Sequence, residues 1–168
     1  MRPLWKEMLQ ESDNFIAEQI LLMVSDQLLG ELNSEKAIEN VLKKYLDDLP
    51  DKPQWVDGSG LSRHNLVTPR SMIRLIEKID QAMPRNELLN LLAQGGISGT
   101  LKYNYRGNRP YVFAKTGTIS NNHALVGIIK SKSDRHYAFA FLNNNYLNKA
   151  SEVRREMEKV LVMVRDML

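Results

Sequence analysis

Residues 111–143 read YVFAKTGTISNNHALVGIIKSKSDRHYAFAFLN, and in them the spacing of apolar residues leaves the helical period for a strand-like one. Three segments, Tyr111 to Thr116, His123 to Lys130 and His136 to Asn143, are rich in β-branched and aromatic residues and are separated by turn-like breaks. The alternation is imperfect, but the breaks are short. Antiparallel strands joined by hairpins are therefore predicted, with Lys115 closing the first of them.

On the C-terminal side, Met157, Val160, Leu161, Val164 and Leu168 form an apolar stripe at helical spacing, so a final helix should pack on one face of the sheet. On the N-terminal side the period is helical. Phe15, Ile16, Ile20, Leu21, Met23, Val24, Leu28 and Leu29 recur at helical spacing, and Gly30 is placed to stop the helix. A second helix is predicted from Ser34, as N-cap, to about Leu49. Pro50, Pro53, Gly58 and Gly60 then impose an irregular segment. Thr68 and Pro69 start a third helix reaching about Ile79, and Pro84 to Ala93 reads as a shorter fourth one stopped by Gly95 and Gly96. The order is helices, an irregular middle, three strands and a terminal helix, without repeats. This is an α+β arrangement in one domain over residues 1–168, with a sheet that reads as incomplete.

The 168 residues are 43% apolar, enough for a core, and carry a net charge of +3. The charge is mixed: Lys43, Lys44, Arg154 and Arg155 lie among Asp47, Asp48, Glu152 and Glu156. With no basic stripe or interleaved aromatics, no nucleic-acid partner is expected. The absence of cysteine excludes disulfides and thiolate chemistry but leaves the compartment open. The first residues, MRPLWKEMLQESDN, hold no apolar run of signal-peptide length, so the chain as it stands carries no export signal.

Two short motifs carry the chemistry. Lys115-Thr116-Gly117, followed by Thr118, reads either as a strand end with a surface lysine and a turn glycine or as a carboxylate-binding strand. In the second reading Lys115 and the threonine hydroxyls hold the anion, while Gly117 lets a substrate backbone lie close. Ser12-Asp13-Asn14 lies at a predicted helix N-terminus, where a simple cap would explain it equally well. His64, His123 and His136 have no metal-ligand spacing and read as ordinary surface or strand histidines; no metal or cofactor is implied.

Taken together, Ser-Asp-Asn and Lys-Thr-Gly are two of the three signature motifs of β-lactamases and penicillin-binding proteins. With Asp57-Gly58-Ser59-Gly60-Leu61-Ser62-Arg63 and Gly99-Thr100-Leu101 between them, the chain resembles the C-terminal part of the class C low-molecular-mass penicillin-binding proteins. These are serine-type D-Ala-D-Ala carboxypeptidases and endopeptidases of peptidoglycan maturation. The resemblance implies a β-lactamase/transpeptidase-like fold, a stem peptide ending in D-Ala-D-Ala as partner, and a periplasmic or extracytoplasmic location for the complete protein. It also implies roles for the motif residues. Ser12 would relay a proton to the leaving amine, and Asn14 would bind the substrate amide or hold the catalytic lysine. Lys115 would supply charge, Thr116 and Thr118 would sit near the terminal carboxylate, and the Thr118 N–H would be one oxyanion donor. The Asp57–Arg63 block reads either as part of that chemistry or as a structural turn supporting it.

The third signature, Ser-x-x-Lys, supplies the nucleophile, and no serine in these residues begins it. This chain alone is therefore expected to be inactive, and β-lactams are expected to acylate it only together with the N-terminal part of the domain. The alternative is a non-catalytic module that binds stem peptides or a partner. A further expectation is self-association through an exposed sheet edge.

Overall fold

The computed structural model describes all 168 residues, Met1–Leu168. Five helices precede the sheet strands that dominate its second half: α1 Arg2–Gln10, α2 Asn14–Leu29, α3 Ser34–Tyr45, α4 Pro69–Ala82 and α5 Arg85–Leu91. A short strand β1 (Ala93–Gln94) and a 3-10 turn (Gly99–Leu101) lead to β2 (Val112–Ile119), β3 (Asn122–Lys130), β4 (His136–Asn144) and the final helix α6 (Ala150–Met167). The sheet is antiparallel throughout, in the order β1-β2-β3-β4.

Side-chain caps open three of the six helices. The Asp13 carboxylate accepts the Ile16 N–H at 2.8 Å and opens α2, which Gly30 closes at φ +69°. Thr68 accepts from the Ser71 N–H, and Pro69 occupies the first turn of α4. The cap of α3 is Asn33, whose side chain accepts the Lys36 N–H at 3.0 Å, rather than Ser34, and that helix ends at Tyr45, short of Leu49. Helix α4 runs on to Ala82, beyond Ile79.

Strand periodicity sorts the core into two layers. Val112, Ala114, Leu125 and Ile129 point toward Met157 and Leu161 of α6, whereas Phe113, Val126 and Ile128 meet Ile76 of α4 and Leu88 of α5. Both faces are covered, which is why the sequence alternation is imperfect. A third cluster, Leu21, Ala37 and Ile38, joins α2 to α3. Within the terminal stripe Met157 and Leu161 are buried, while Val160 and Leu168 stay exposed.

Three expectations are corrected. The sheet has four strands rather than three, because Ala93 leaves the predicted fourth helix to pair with Ala114. Helix α1 has no counterpart in the sequence reading. Strand β2 continues to Ile119, so Lys115, Thr116, Gly117 and Thr118 lie inside a strand and Lys115 does not end one.

Candidate active site

The site forms where β2 outruns its neighbour. β1 pairs only with Phe113 and Ala114, so from Lys115 onward β2 has β3 on one side and no strand on the other. The Val112 carbonyl accepts from the Gly95 N–H toward β1, so by alternation the backbone groups of Thr116 and Thr118 also face the open edge.

Across that edge stands the loop between α1 and α2. Gln10, buried at the end of α1, donates through its side-chain amide to the carbonyls of Asn90 and Leu92, both at 3.0 Å. That clamp fixes the following residues, and Ser12 takes a left-handed conformation, φ +62°, uncommon for a serine. The Lys115 ammonium donates to Ser12 Oγ at 2.5 Å and to the Thr116 carbonyl at 2.6 Å. Lys115 is half-buried, and loss of water around it brings its amine down from 10.5 to about 8.

The remaining predicted residues fall as follows. Asn14 is the exposed first residue of α2 and makes no side-chain hydrogen bond with Ser12 or Lys115; the capping role belongs to Asp13. Thr116 donates to Thr100 Oγ1 at 2.9 Å, which brings the Gly99-Thr100-Leu101 block to the strand. Gly99 has φ +59°, and a Cβ there would lie 2.9 Å from the Gln10 carbonyl carbon, so that block also locks onto α1. Gly117 is exposed, and a Cβ on it would meet only Ala124 Cβ at 3.8 Å.

The Asp57–Arg63 block is a tightly hydrogen-bonded turn. Asp57 accepts from the Gly60 N–H (2.6 Å), the Ser62 N–H (2.7 Å) and the Asn65 amide (3.0 Å), while Glu18 of α2 accepts from the Gly58 and Ser59 N–H groups. The supporting-turn reading accounts for these bonds, and Arg63 extends from the turn to the Ser120 carbonyl at the far end of β2. The sequence reading missed Thr100 as a partner of Thr116, although it lay in a quoted block. It also missed His123, whose Nδ1 lies 2.8 Å from Thr118 Oγ1; a lone histidine in a strand gave no signal. His64 is exposed and His136 half-buried.

A four-stranded antiparallel sheet between a terminal helix and a helical layer, with a lysine on β2, where that strand outruns β1, hydrogen-bonded to a serine of the helical part, is the β-lactamase/transpeptidase architecture. The chain belongs to the D-Ala-D-Ala carboxypeptidase 3 (S13) family, whose model matches residues 1–167. It is 33% identical over 153 residues to the carboxypeptidase DacB of Mycolicibacterium smegmatis, covering 83% of this chain and 33% of that protein. Its fold superposes with a TM-score of 0.86 on penicillin binding protein 4 of Haemophilus influenzae complexed with a β-lactam, at 24% identity, over 98% of this chain and 41% of the other. The TLA-1 extended-spectrum β-lactamase shares the fold at a TM-score of 0.71 and 18% identity, over 98% of this chain and 63% of the other. The chain thus spans about a third of the curated relative's length.

Proposed function

We propose that residues 1–168 form the part of a serine-type D-Ala-D-Ala carboxypeptidase site that binds substrate and relays protons, working on peptidoglycan stem peptides outside the cytoplasmic membrane. The observation that carries this reading is the Lys115–Ser12 hydrogen bond, made between residues 103 positions apart. A surface lysine at a strand end would not be desolvated against a serine held in a strained conformation.

In this reading the stem peptide lies along the open edge of β2, where Gly117 leaves room for its backbone. The acylating serine comes from a Ser-x-x-Lys segment outside these residues and attacks the D-Ala-D-Ala carbonyl. The developing oxyanion accepts from the Thr118 N–H. The leaving amine takes its proton from Ser12, which is replenished through Lys115; an amine near 8 is suited to exchanging protons at neutral pH. Asn14 binds the substrate amide. Water then hydrolyses the acyl-enzyme.

Incubation with penicillin followed by intact-mass measurement tests the division of labour. The 168-residue chain should show no covalent adduct, whereas the same residues joined to a Ser-x-x-Lys segment should acylate on that segment's serine. An adduct on Ser12, Ser59 or Ser62 of the short chain would overturn the assignment. The second reading is a module that binds stem peptides without cleaving them, with Lys115 and Ser12 serving only to hold the ligand. Failure of the joined protein to acylate would support that alternative.

A further inference from the structure

Residues 88–133 contain no aspartate or glutamate, yet they carry Lys102, Arg106, Arg109, Lys115, Lys130 and Lys132. The rest of the molecule, with 17 of the 23 basic residues against all 20 acidic ones, is net negative. The positive charge of this protein is therefore regional. Three of the six are committed within the fold: Lys115 donates to Ser12, Lys130 pairs with Asp134 at 2.8 Å and Lys132 with Asp166 at 3.1 Å. The other three, Lys102, Arg106 and Arg109, stand exposed on the one loop between the 3-10 turn and β2 and make no ion pair. Asp134, whose charge reaches Arg109, is held by Lys130.

The loop that carries them is anchored to the body of the molecule. Tyr105 at its centre is almost completely buried, takes a left-handed φ of +56° and donates its N–H to Glu158 of α6 at 2.9 Å. The Gly96 N–H reaches the Leu101 and Asn104 carbonyls at 3.1 and 2.8 Å, and a Cβ on Gly96 would lie 3.2 Å from the Arg106 Cα. The turn at 95–97 is thus laid against the loop. Two apolar side chains join the basic ones in solvent, Ile97 at 53% exposure and Tyr103 at 73%. The Lys102 ammonium sits 5.7 Å from the centre of the Tyr103 ring, so charge and apolar surface lie side by side.

The chemistry of the partner follows from this mixture. Unpaired cations beside exposed apolar side chains fit a surface that is anionic at its face and apolar beneath. A soluble polyanion would use the charges and leave Ile97 and Tyr103 in water. A nucleic-acid strand needs successive exposed rings on which to stack its bases, and with Tyr105 buried Tyr103 is alone in this loop.

We propose that this loop, together with the turn at 95–97, docks the protein on a membrane surface bearing anionic phospholipid. Lys102, Arg106 and Arg109 meet the headgroup phosphates, while Tyr103 and Ile97 enter the interface between headgroups and acyl chains. The contact is peripheral, since no helix in the structure is long and apolar enough to cross a membrane. Thr100, in the 3-10 turn that leads into the loop, is the residue that meets Thr116, so docking holds the open edge of β2 near the lipid face. Docking of this kind does not depend on the reaction carried out at that edge.

Co-sedimentation of the full chain with lipid vesicles tests the docking. Vesicles of equal parts phosphatidylcholine and phosphatidylglycerol should carry the protein down, phosphatidylcholine alone should not, and added salt should release it. Each basic side chain should contribute roughly fivefold, so the triple variant Lys102→Gln, Arg106→Gln, Arg109→Gln should weaken partitioning on the order of a hundredfold. The control triple Lys43→Gln, Lys44→Gln, Lys52→Gln removes the same net charge from exposed side chains elsewhere and should cost far less. Lys102→Arg, Arg106→Lys, Arg109→Lys together keep the charge and should bind like wild type, which separates lost binding from lost folding. Ile97→Ser with Tyr103→Ser should weaken vesicle binding at unchanged charge. The emission added by Tyr103→Trp should shift to the blue on the anionic vesicles and stay in place with inorganic polyphosphate. No binding to the anionic vesicles, equal partitioning onto both kinds, or equal losses in the loop and control triples would each overturn the docking. An emission that does not move on the vesicles, with polyphosphate bound as tightly as lipid, would overturn it in favour of a site for soluble polyanions.

Discussion

Lys115 is held by a hydroxyl and a carbonyl, both of which favour its charged form, yet desolvation outweighs them and the amine falls to about 8. At pH 7 most molecules carry the ammonium, and about half do so near pH 8. In the unfolded chain the same amine titrates near its ordinary 10.5. Between about 8 and 10.5 the unfolded state therefore binds more protons than the native one, and stability rises with pH across that window. Urea midpoints measured from pH 7.5 to 10.5 should show this rise in the wild type relative to Lys115→Met, which lacks the group. Parallel curves for the two proteins would mean that Lys115 is solvated like any surface lysine. The same residue shows what a sequence can reveal: Lys-Thr-Gly and Ser-Asp-Asn were readable as motifs, and their order matched a family. His123 was not readable, because its significance lies in a cross-strand neighbour, Thr118, and in the burial of its ring.

Among the elements, β2 and β3 show where backbone proximity dictates residue type. Gly127 pairs with Ala114, and a Cβ on it would lie 2.6 Å from the Ala114 Cα, a separation real side chains do not tolerate. Gly127→Ala should therefore spread the two strands and cost several kcal/mol, on the order of 1–3 for overpacking and more where backbone must shift. Gly117→Ala meets only a distant methyl and should fold with a stability within about 1 kcal/mol of wild type, while losing affinity for D-Ala-D-Ala peptides that approach the open edge. Chemical denaturation and peptide titration of the two variants separate a glycine kept for folding from one kept for substrate. A Gly117→Ala protein that binds normally would remove the close-approach argument. Element boundaries were legible where capping is local, as at Asp13, Gly30 and Thr68. They failed where neighbours of equal capping strength compete, as with Asn33 and Ser34, and where a partner strand decides, as at Ala93.

For the whole molecule, the sheet ends at β4, which has β3 on one side and no strand on the other. His136–Asn144 contains no Lys, Glu, Asp or Pro, the residues that ordinarily discourage pairing at an edge. Beside it, a cleft of about 500 Å³ between β4 and α6 is lined in part by Phe141, Val153, Met157 and Val160. An unguarded edge next to apolar surface should lead the isolated chain to self-associate. Sedimentation should show an average mass that climbs with concentration, reversed when the chain is joined to the remainder of its domain. A strict monomer at high concentration would contradict this. No helix in the structure is long and apolar enough to cross a membrane.

From its residues alone this protein could be assigned an α+β class, five of its six helices, three of its four strands, and the two motifs that mark its family. All of these rest on periodicity, capping and short motifs, which act over a few positions. What tertiary structure decided lies in pairs far apart along the chain: Ser12 against Lys115, Gln10 clamped to Leu92, and Thr100 under Thr116. Helix α1 belongs to this second group, since the Gln10 amide bonds that anchor its end run to the chain around residues 90–92. Such contacts form only once two layers have packed on the sheet, and it is that packing which strips water from Lys115.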